Sequence, residues 1–203
     1  TAGKITFSGK DVTDLDSEEL SKHREDVQMI FQDPYASINP RFKAKEVLLE
    51  PLIIHNKGKN KKERYEMALE ALKEVKLNPP GKYIDRYSHM LSGGQRQRVA
   101  TARTLILSPS FIVADEPVSM IDLSTRAEIL RMMKDVQQDM NLTYLYITHD
   151  LSTARYFTDR IAVMYLGKIV EIGNVDNVVD NALHPYTKAL ISAVSEPVSG
   201  RVN

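Results

Sequence analysis

Cysteine is missing from all 203 residues. That excludes a disulfide framework, thiolate-held metals, iron–sulfur ligation and thiol catalysis, and it fits a reducing compartment. Net charge is missing as well. The 27 Lys plus Arg balance 27 Asp plus Glu, so no global field draws the chain to nucleic acid or to an anionic membrane, and any polyanion site must be local. Long apolar runs are absent too. Stretches such as Leu105-Ile106-Leu107 and Phe111 to Ala114 are far too short to cross a bilayer, and the opening TAGKITFSGK has no apolar signal core. Neither an internal repeat nor a low-complexity linker is visible. What remains reads as a soluble intracellular protein of one domain, or a domain with a subdomain, long enough to bury a substantial core.

What is present alternates between strand and helix patterns. Val27 to Phe31 (VQMIF) predicts a buried strand, and Lys61 to Val75 an amphipathic helix with Tyr65, Ala68, Leu69, Leu72 and Val75 on one face. Asn78-Pro79-Pro80-Gly81 ends that helix. Ser92 with Gln95 forms a capping-box pattern that opens a helix running to about Leu107, ahead of Ser108-Pro109. Phe111 to Asp115 predicts a short strand, Ser124 to Met140 a helix with Ile129, Met133, Val136 and Met140 inward, and Thr143 to Thr148 another strand. Arg160 to Gly173 predicts two strands around Leu166-Gly167, and Tyr186 to Val194 a closing helix. Strand, helix, strand in succession implies a parallel sheet. The basic run KGKNKKER, Lys57 to Arg64, reads as a solvated loop leading into a helix rather than a polyanion site.

Polar residues stand where such a sheet displays ligand groups. In LSGGQ, Leu91 to Gln95, a helix N-terminus offers unpaired N–H groups and a positive dipole end, and Gly93-Gly94 removes side chains that would block a phosphate. Taken alone, a plain capped helix with a flexible entry explains the motif equally well. Asp115 and Glu116 end an apolar strand, where one carboxylate can hold Mg²⁺ and its neighbour can orient water; taken alone, Asp-Glu-Pro is also an ordinary polar turn. Thr148-His149-Asp150 repeats that geometry, with Asp150 serving simply as a helix cap in the plainer reading. Gln32 follows the VQMIF strand and precedes Asp33-Pro34. Four such sites in one α/β chain converge on a nucleotide phosphate.

The ordered set Gln32, LSGGQ at 91–95, FIVADE at 111–116, SMID at 119–122 and His149 closely resembles the ATP-binding cassette (ABC) of transporters, across essentially all 203 residues. IFQDPYASINPR, Ile30 to Arg41, and HPYTKAL, His184 to Leu190, resemble the dipeptide/oligopeptide importer ATPases in particular. The resemblance implies a P-loop NTPase-type α/β cassette: a parallel-sheet core (1–35 and 92–203) plus a helical subdomain at 36–91, paired head-to-tail with a second cassette, identical or different, beneath a transmembrane permease. It implies ATP and Mg²⁺ as ligands, hydrolysis of ATP to ADP and phosphate, and a place on the inner face of the cell membrane, with no nucleic-acid partner. By position, Asp115 coordinates Mg²⁺, Glu116 is the catalytic base, His149 contacts the γ-phosphate, and Gln32 links magnesium and water to the permease. Ser92, Gly93, Gly94 and Gln95 bind the γ-phosphate of ATP held by the partner, and Asp122 lies at the dimer seam. The segment from Gln32 to about Ile54, with Tyr35, Ile38 and Phe42, is expected to meet a permease helix.

One part of the pattern is not there. A P-loop, G-x-x-x-x-G-K-[ST], cradles phosphates with backbone amides, a lysine and a hydroxyl, and no stretch of the chain matches it. Gly3 to Asp11 comes nearest, with five residues between its glycines and Asp11 where the hydroxyl belongs. By resemblance GKITFSGKDV is the strand pair that follows the P-loop helix, so the expectation is an N-terminally truncated cassette, inactive alone. Two other readings share the signature: a non-hydrolysing partner that supplies only the signature face, and a cassette ATPase outside transport, for which neither a coiled-coil insertion nor a second cassette is visible.

Overall fold

Asp16 opens the first helix by accepting from the N–H groups of Glu18 and Glu19, with Glu19 returning the bond to the Asp16 N–H; α1 spans Ser17–Asp26. Ahead of it, β1 (Thr6–Phe7) and β2 (Lys10–Asp11) form a small antiparallel pair. The computed structural model describes residues 3–34 and 36–194, and the chain divides into two compact units, Thr1–Leu145 and Tyr146–Asn203.

In the first unit, β3 (Val27–Ile30) pairs in parallel with β4 (Phe111–Asp115), Ile30 opposite Ala114. β5 (Thr143–Ile147) is third in the order β3-β4-β5, and the Thr143 N–H donates to the Ser110 carbonyl at 3.1 Å. Ile30, Ile112 and Ala114 are fully buried, as a strand covered on both faces requires. The expected strand at 27–31 ends one residue early: Phe31 lies outside it and is exposed.

Three helices fill the span between β3 and β4. They are α2 (Ala44–Ile54), α3 (Lys61–Glu74) and α4 (Gly93–Leu105), each packed on the other two. α3 follows its predicted periodicity: Ala68, Leu72 and the C-cap Val75 are fully buried, while Tyr65 and Leu69 stay partly open. α2 is not legible from pattern because Pro51 sits inside it, yet Val47, Leu48 and Leu52 are buried. Its start is tied to the segment ahead of LSGGQ: the Ala44 and Lys45 N–H groups donate to the Arg86 and Ile84 carbonyls, and the Ser88 hydroxyl to the Phe42 carbonyl. α5 (Leu123–Asp139) buries Ile129, Met133 and Val136 as expected, with Met140 only half-buried.

The second unit holds α6 (Leu151–Phe157), β6 (Arg160–Tyr165), β7 (Lys168–Asn174), α7 (Val175–Asp180) and α8 (Pro185–Val194). β6 and β7 form an antiparallel hairpin turned by Leu166 and Gly167, both at positive φ, 47° and 75°. That is the two-residue turn that matches strand twist. Glu171 accepts the N–H groups of Leu183 and His184 at 2.9 and 3.1 Å, which anchors the entry to α8, and the Tyr165 and Tyr186 rings meet at 4.5 Å. Among the described residues no helix is long and apolar enough to cross a membrane.

Candidate functional site at the end of the fourth strand and the head of the fourth helix

β4 ends in Asp115, and the chain turns at Glu116. Glu116 has φ +41°, in the left-handed region that costs a residue with a β-carbon about 1–2 kcal/mol, and Pro117 after it crowds the backbone further. The conformation is held locally: the Ser119 N–H and hydroxyl both donate to the Glu116 carbonyl, at 3.1 and 3.0 Å. It is also held at long range, because the Gln32 side-chain amide donates to the Glu116 carboxylate at 2.8 Å across 84 positions of sequence. Gln32 leaves the end of β3 and Glu116 the end of β4, so the parallel pairing brings two polar residues to one strand-end site. A strained backbone that aims a carboxylate at a fixed donor is the kind of outlier from which a functional site is inferred.

At the head of α4, Ser92 and Gln95 form the reciprocal cap read from the sequence: the Gln95 N–H donates to Ser92 Oγ at 3.3 Å, and the Ser92 N–H to Gln95 Oε1 at 3.2 Å. Both side chains therefore shape the helix entry, and the amides at Gly93 and Gly94 fall in the first turn, which has no intrahelical acceptors. Ser92 is exposed, Gly93 and Gln95 are partly exposed, and Gly94 is buried. The glycine that looks made for an approaching phosphate thus has a neighbour within its own chain. A β-carbon at 94 would stand 2.4 Å from the γ-methyl of Thr125 on α5.

Asp122 is the N-cap of α5. It accepts from the Ser124 hydroxyl at 2.7 Å and the Thr125 N–H at 2.9 Å, and the Ser124 and Thr125 donors hold its carboxyl down to about 2. It is exposed, flanked by the exposed apolar side chains of Met120 and Leu123. In the second unit His149 is exposed, and Asp150 caps α6 through the Ser152 and Thr153 N–H groups. The structure joins Gln32 with Glu116, sets Asp115 beside them in the chain, and places Ser92 to Gln95 against the helix that Asp122 caps. Of the residues expected to meet a permease, Ile38 does not qualify: it is buried, only 3% exposed. Phe42 is exposed, and Tyr35 lies outside the described residues. Sequence reasoning does not reach Thr125, and it takes in Ser119 only as the first residue of SMID, because their roles are through-space packing and backbone support.

The donor set suits magnesium held jointly with phosphate. Asp115 and Gln32 offer a carboxylate and an amide oxygen, and among the described residues no group of three or more His, Cys, Asp or Glu could cage a metal. Mg²⁺ is commonly held through one or two carboxylates plus substrate phosphates and water, so these residues fit. The chain contains no glycine-rich lysine loop for the remaining phosphates.

An α/β chain with a strained carboxylate at a strand end and a capped Gly-Gly helix entry matches what a phosphate-handling ATPase cassette needs. The comparisons agree. The sequence model described as ABC transporter matches residues 1–119, and that of the oligopeptide/dipeptide transporter C-terminal region matches 170–202. The chain therefore belongs to the ABC transporter family, with the α/β fold of its P-loop NTPase-type ATPase domain. It is 47% identical over 197 residues to the dipeptide transport ATP-binding protein DppF of Lactococcus lactis, covering 97% of this chain and 62% of that one. It is 47% identical over 198 residues to the oligopeptide transport ATP-binding protein OppF of Bacillus subtilis, covering 97% and 64%. The chain spans about three fifths of the length of the curated relatives it matches. Among solved structures it resembles the ATP-binding cassette MJ0796, a dimer bound to ADP and phosphate, with TM-score 0.74, 33% identity, and 86% and 74% of the two chains covered. It also resembles cbiO1 of Clostridium perfringens, part of an ABC transporter complex, with TM-score 0.77, 26% identity, and 89% and 69% covered.

Proposed function

We propose that this chain belongs to the ATP-hydrolysing subunit of an importer of di- or oligopeptides, working on the inner face of the cell membrane beneath a permease and beside a second cassette. The observation that carries the reading is the Gln32–Glu116 hydrogen bond at 2.8 Å, which fixes a carboxylate at the end of an apolar strand. Glu116 orients the attacking water and accepts its proton as the water oxygen bonds to the γ-phosphorus of ATP and the bond from that phosphorus to the β–γ bridging oxygen breaks, releasing ADP and phosphate. The Gln32 amide keeps that carboxylate in place while β3 carries the chain on toward the helical segment 36–91. Asp115 and Gln32 hold Mg²⁺, which supplies charge neutralisation on the phosphates when bound. Ser92, Gly93, Gly94 and Gln95 present first-turn amides and polar side chains to the γ-phosphate of ATP on the partner cassette, Asp122 lies at the seam between the two, and His149 contacts the γ-phosphate from its own side. Peptide transport is supported by the relatives at 47% identity and by the matched C-terminal region.

The 203 residues by themselves lack the amide nest, lysine and hydroxyl of a phosphate cradle, and two adjacent carboxylates repel a polyphosphate left unneutralised. The chain alone is therefore not competent. The test has two arms. Calorimetry of the isolated chain with Mg·ATP shows no micromolar binding. In the subunit assembled with permease and partner, Glu116→Gln slows hydrolysis by roughly 10²–10⁴-fold while nucleotide binding survives. Turnover within a few-fold of wild type removes Glu116 from the base role.

A further inference from the structure

Gly94 is buried at the head of α4, and a β-carbon there would lie 2.4 Å from Thr125 Cγ2 and 3.7 Å from Thr125 Cβ. Real β-carbons do not approach another carbon that closely, so a side chain at position 94 would force the Thr125 methyl or the helix spacing to shift. One turn further along both helices the Arg98 guanidinium reaches the Glu128 carboxylate at 3.5 Å and also donates to the Val75 carbonyl at 2.9 Å. The pairs 94/125 and 98/128 are successive rungs on matching faces of the two helices. Thr125 has a second attachment. Its N–H donates to the Asp122 carboxylate at 2.9 Å, in the first turn of α5.

We infer that Thr125 is a positioning residue: its γ-methyl seats the Ser92–Gln95 helix entry against the turn that carries Asp122, so that the two segments move as one piece. The demand for glycine at position 94 then comes from this contact within the chain rather than from room for a phosphate alone. This rests on the functional reading given above, in which Ser92 to Gln95 and Asp122 both face a partner cassette. A loose seat between them would weaken the productive pairing of two cassettes on ATP and leave the chemistry at Glu116 untouched. The signature of such a loss is a raised KM at constant kcat.

Four variants test it: Gly94→Ala, Thr125→Ser, the double variant, and Thr125→Val. Serine removes the γ-methyl and keeps the hydroxyl; valine keeps the methyl and removes the hydroxyl. Gly94→Ala is expected to lower the melting midpoint of the chain by roughly 4–8 °C through overpacking, and adding Thr125→Ser is expected to restore at least about half of that loss. In the assembled subunit Thr125→Ser is expected to raise KM for ATP about 3–10-fold with kcat unchanged, and Thr125→Val, which keeps the methyl but loses a hydroxyl bonded to Asp122, to raise it less than Thr125→Ser does. The Gly93 and Gly94 amide resonances of the chain are expected to shift with Thr125→Ser and hold with Thr125→Val. Additive melting effects in the double variant, or KM and glycine amides indifferent to the loss of the methyl, would overturn the assignment. Absence of hydrolysis in the wild-type assembly would instead sink the functional reading, and the melting cycle and glycine amides would still decide the seat.

Discussion

The turn after β4 and the entry to α4 both present polar groups at the end of a regular element, yet they are held in place by different means. At the helix entry the side-chain hydrogen bonds of Ser92 and Gln95 come from within four residues: each caps the other's N–H, at 3.2 and 3.3 Å. At the strand end, Glu116 sits at φ +41° and its carboxylate meets the Gln32 amide from the loop that follows β3. The first arrangement is an energy minimum of its local sequence. The second opposes local preference and persists because β3 and β4 pair in parallel and Ser119 ties the backbone from below. A helix cap survives changes elsewhere in the chain, whereas a strained carboxylate needs the whole sheet.

The largest expected difference comes from removing the strain. Glu116→Gly and Glu116→Ala both delete the carboxylate and its bond to Gln32, so their difference isolates the backbone. At an ordinary site alanine is the more stable; here glycine is expected to win by about 1–2 kcal/mol, or roughly 2–4 °C in melting midpoint per kcal/mol. Equal midpoints, or alanine ahead, would mean that the left-handed turn stores no strain and that the contrast with the cap is empty.

A smaller effect is expected at the cap. Ser92→Ala should cost about 1 kcal/mol and Ser92→Thr much less, both read from chemical denaturation of the chain. Because the restraint is local, the Ser92→Ala cost should persist unchanged in a Gln32→Ala background; coupling between those two sites would show that the cap also depends on the sheet.

The smallest effect is electrostatic. The Asp122 carboxyl is held at about 2 by Ser124 and Thr125, against an ordinary 3.8. A carboxyl lowered on folding contributes stability that is present above its unfolded value and is lost as pH falls through the folded one. The wild-type stability curve should therefore slope more steeply than that of Asp122→Asn between pH 3.8 and about 2, and the two should run parallel above that window. Denaturant midpoints across the acid limb measure this, and parallel curves throughout would remove Asp122 as a charged cap.

Pattern alone located most of these elements. The Lys61–Glu74 and Leu123–Asp139 helices lie within one residue of their expected limits, because apolar spacing and Asn or Asp caps are local signals. Three helices are not legible from pattern: the six-residue α7, too short to show a period, and α1 and α2 for different reasons. α1 carries a legible Asp16–Glu19 capping box but buries no residue, so it has no apolar stripe to detect, while α2 buries a good stripe broken by Pro51. Ile38 differs for another reason: an apolar residue in a polar loop looks exposed in sequence, yet the fold buries it.

By itself the sequence determined the class of chemistry: the polar residues at strand ends, the reciprocal cap of Ser92 and Gln95, and the absence of cysteine and of a glycine-rich lysine loop. These depend on residue type and on spacing of a few positions, which is the range over which helix caps and strand alternation act. Only the tertiary structure decided that Gln32 would meet Glu116 from 84 positions away, that Glu116 would be held against its own backbone preference, and that Gly94 would be glycine because Thr125 fills its place. Each of those is set by which strands pair and which helices touch, and contacts between distant positions leave no periodicity in the chain that makes them.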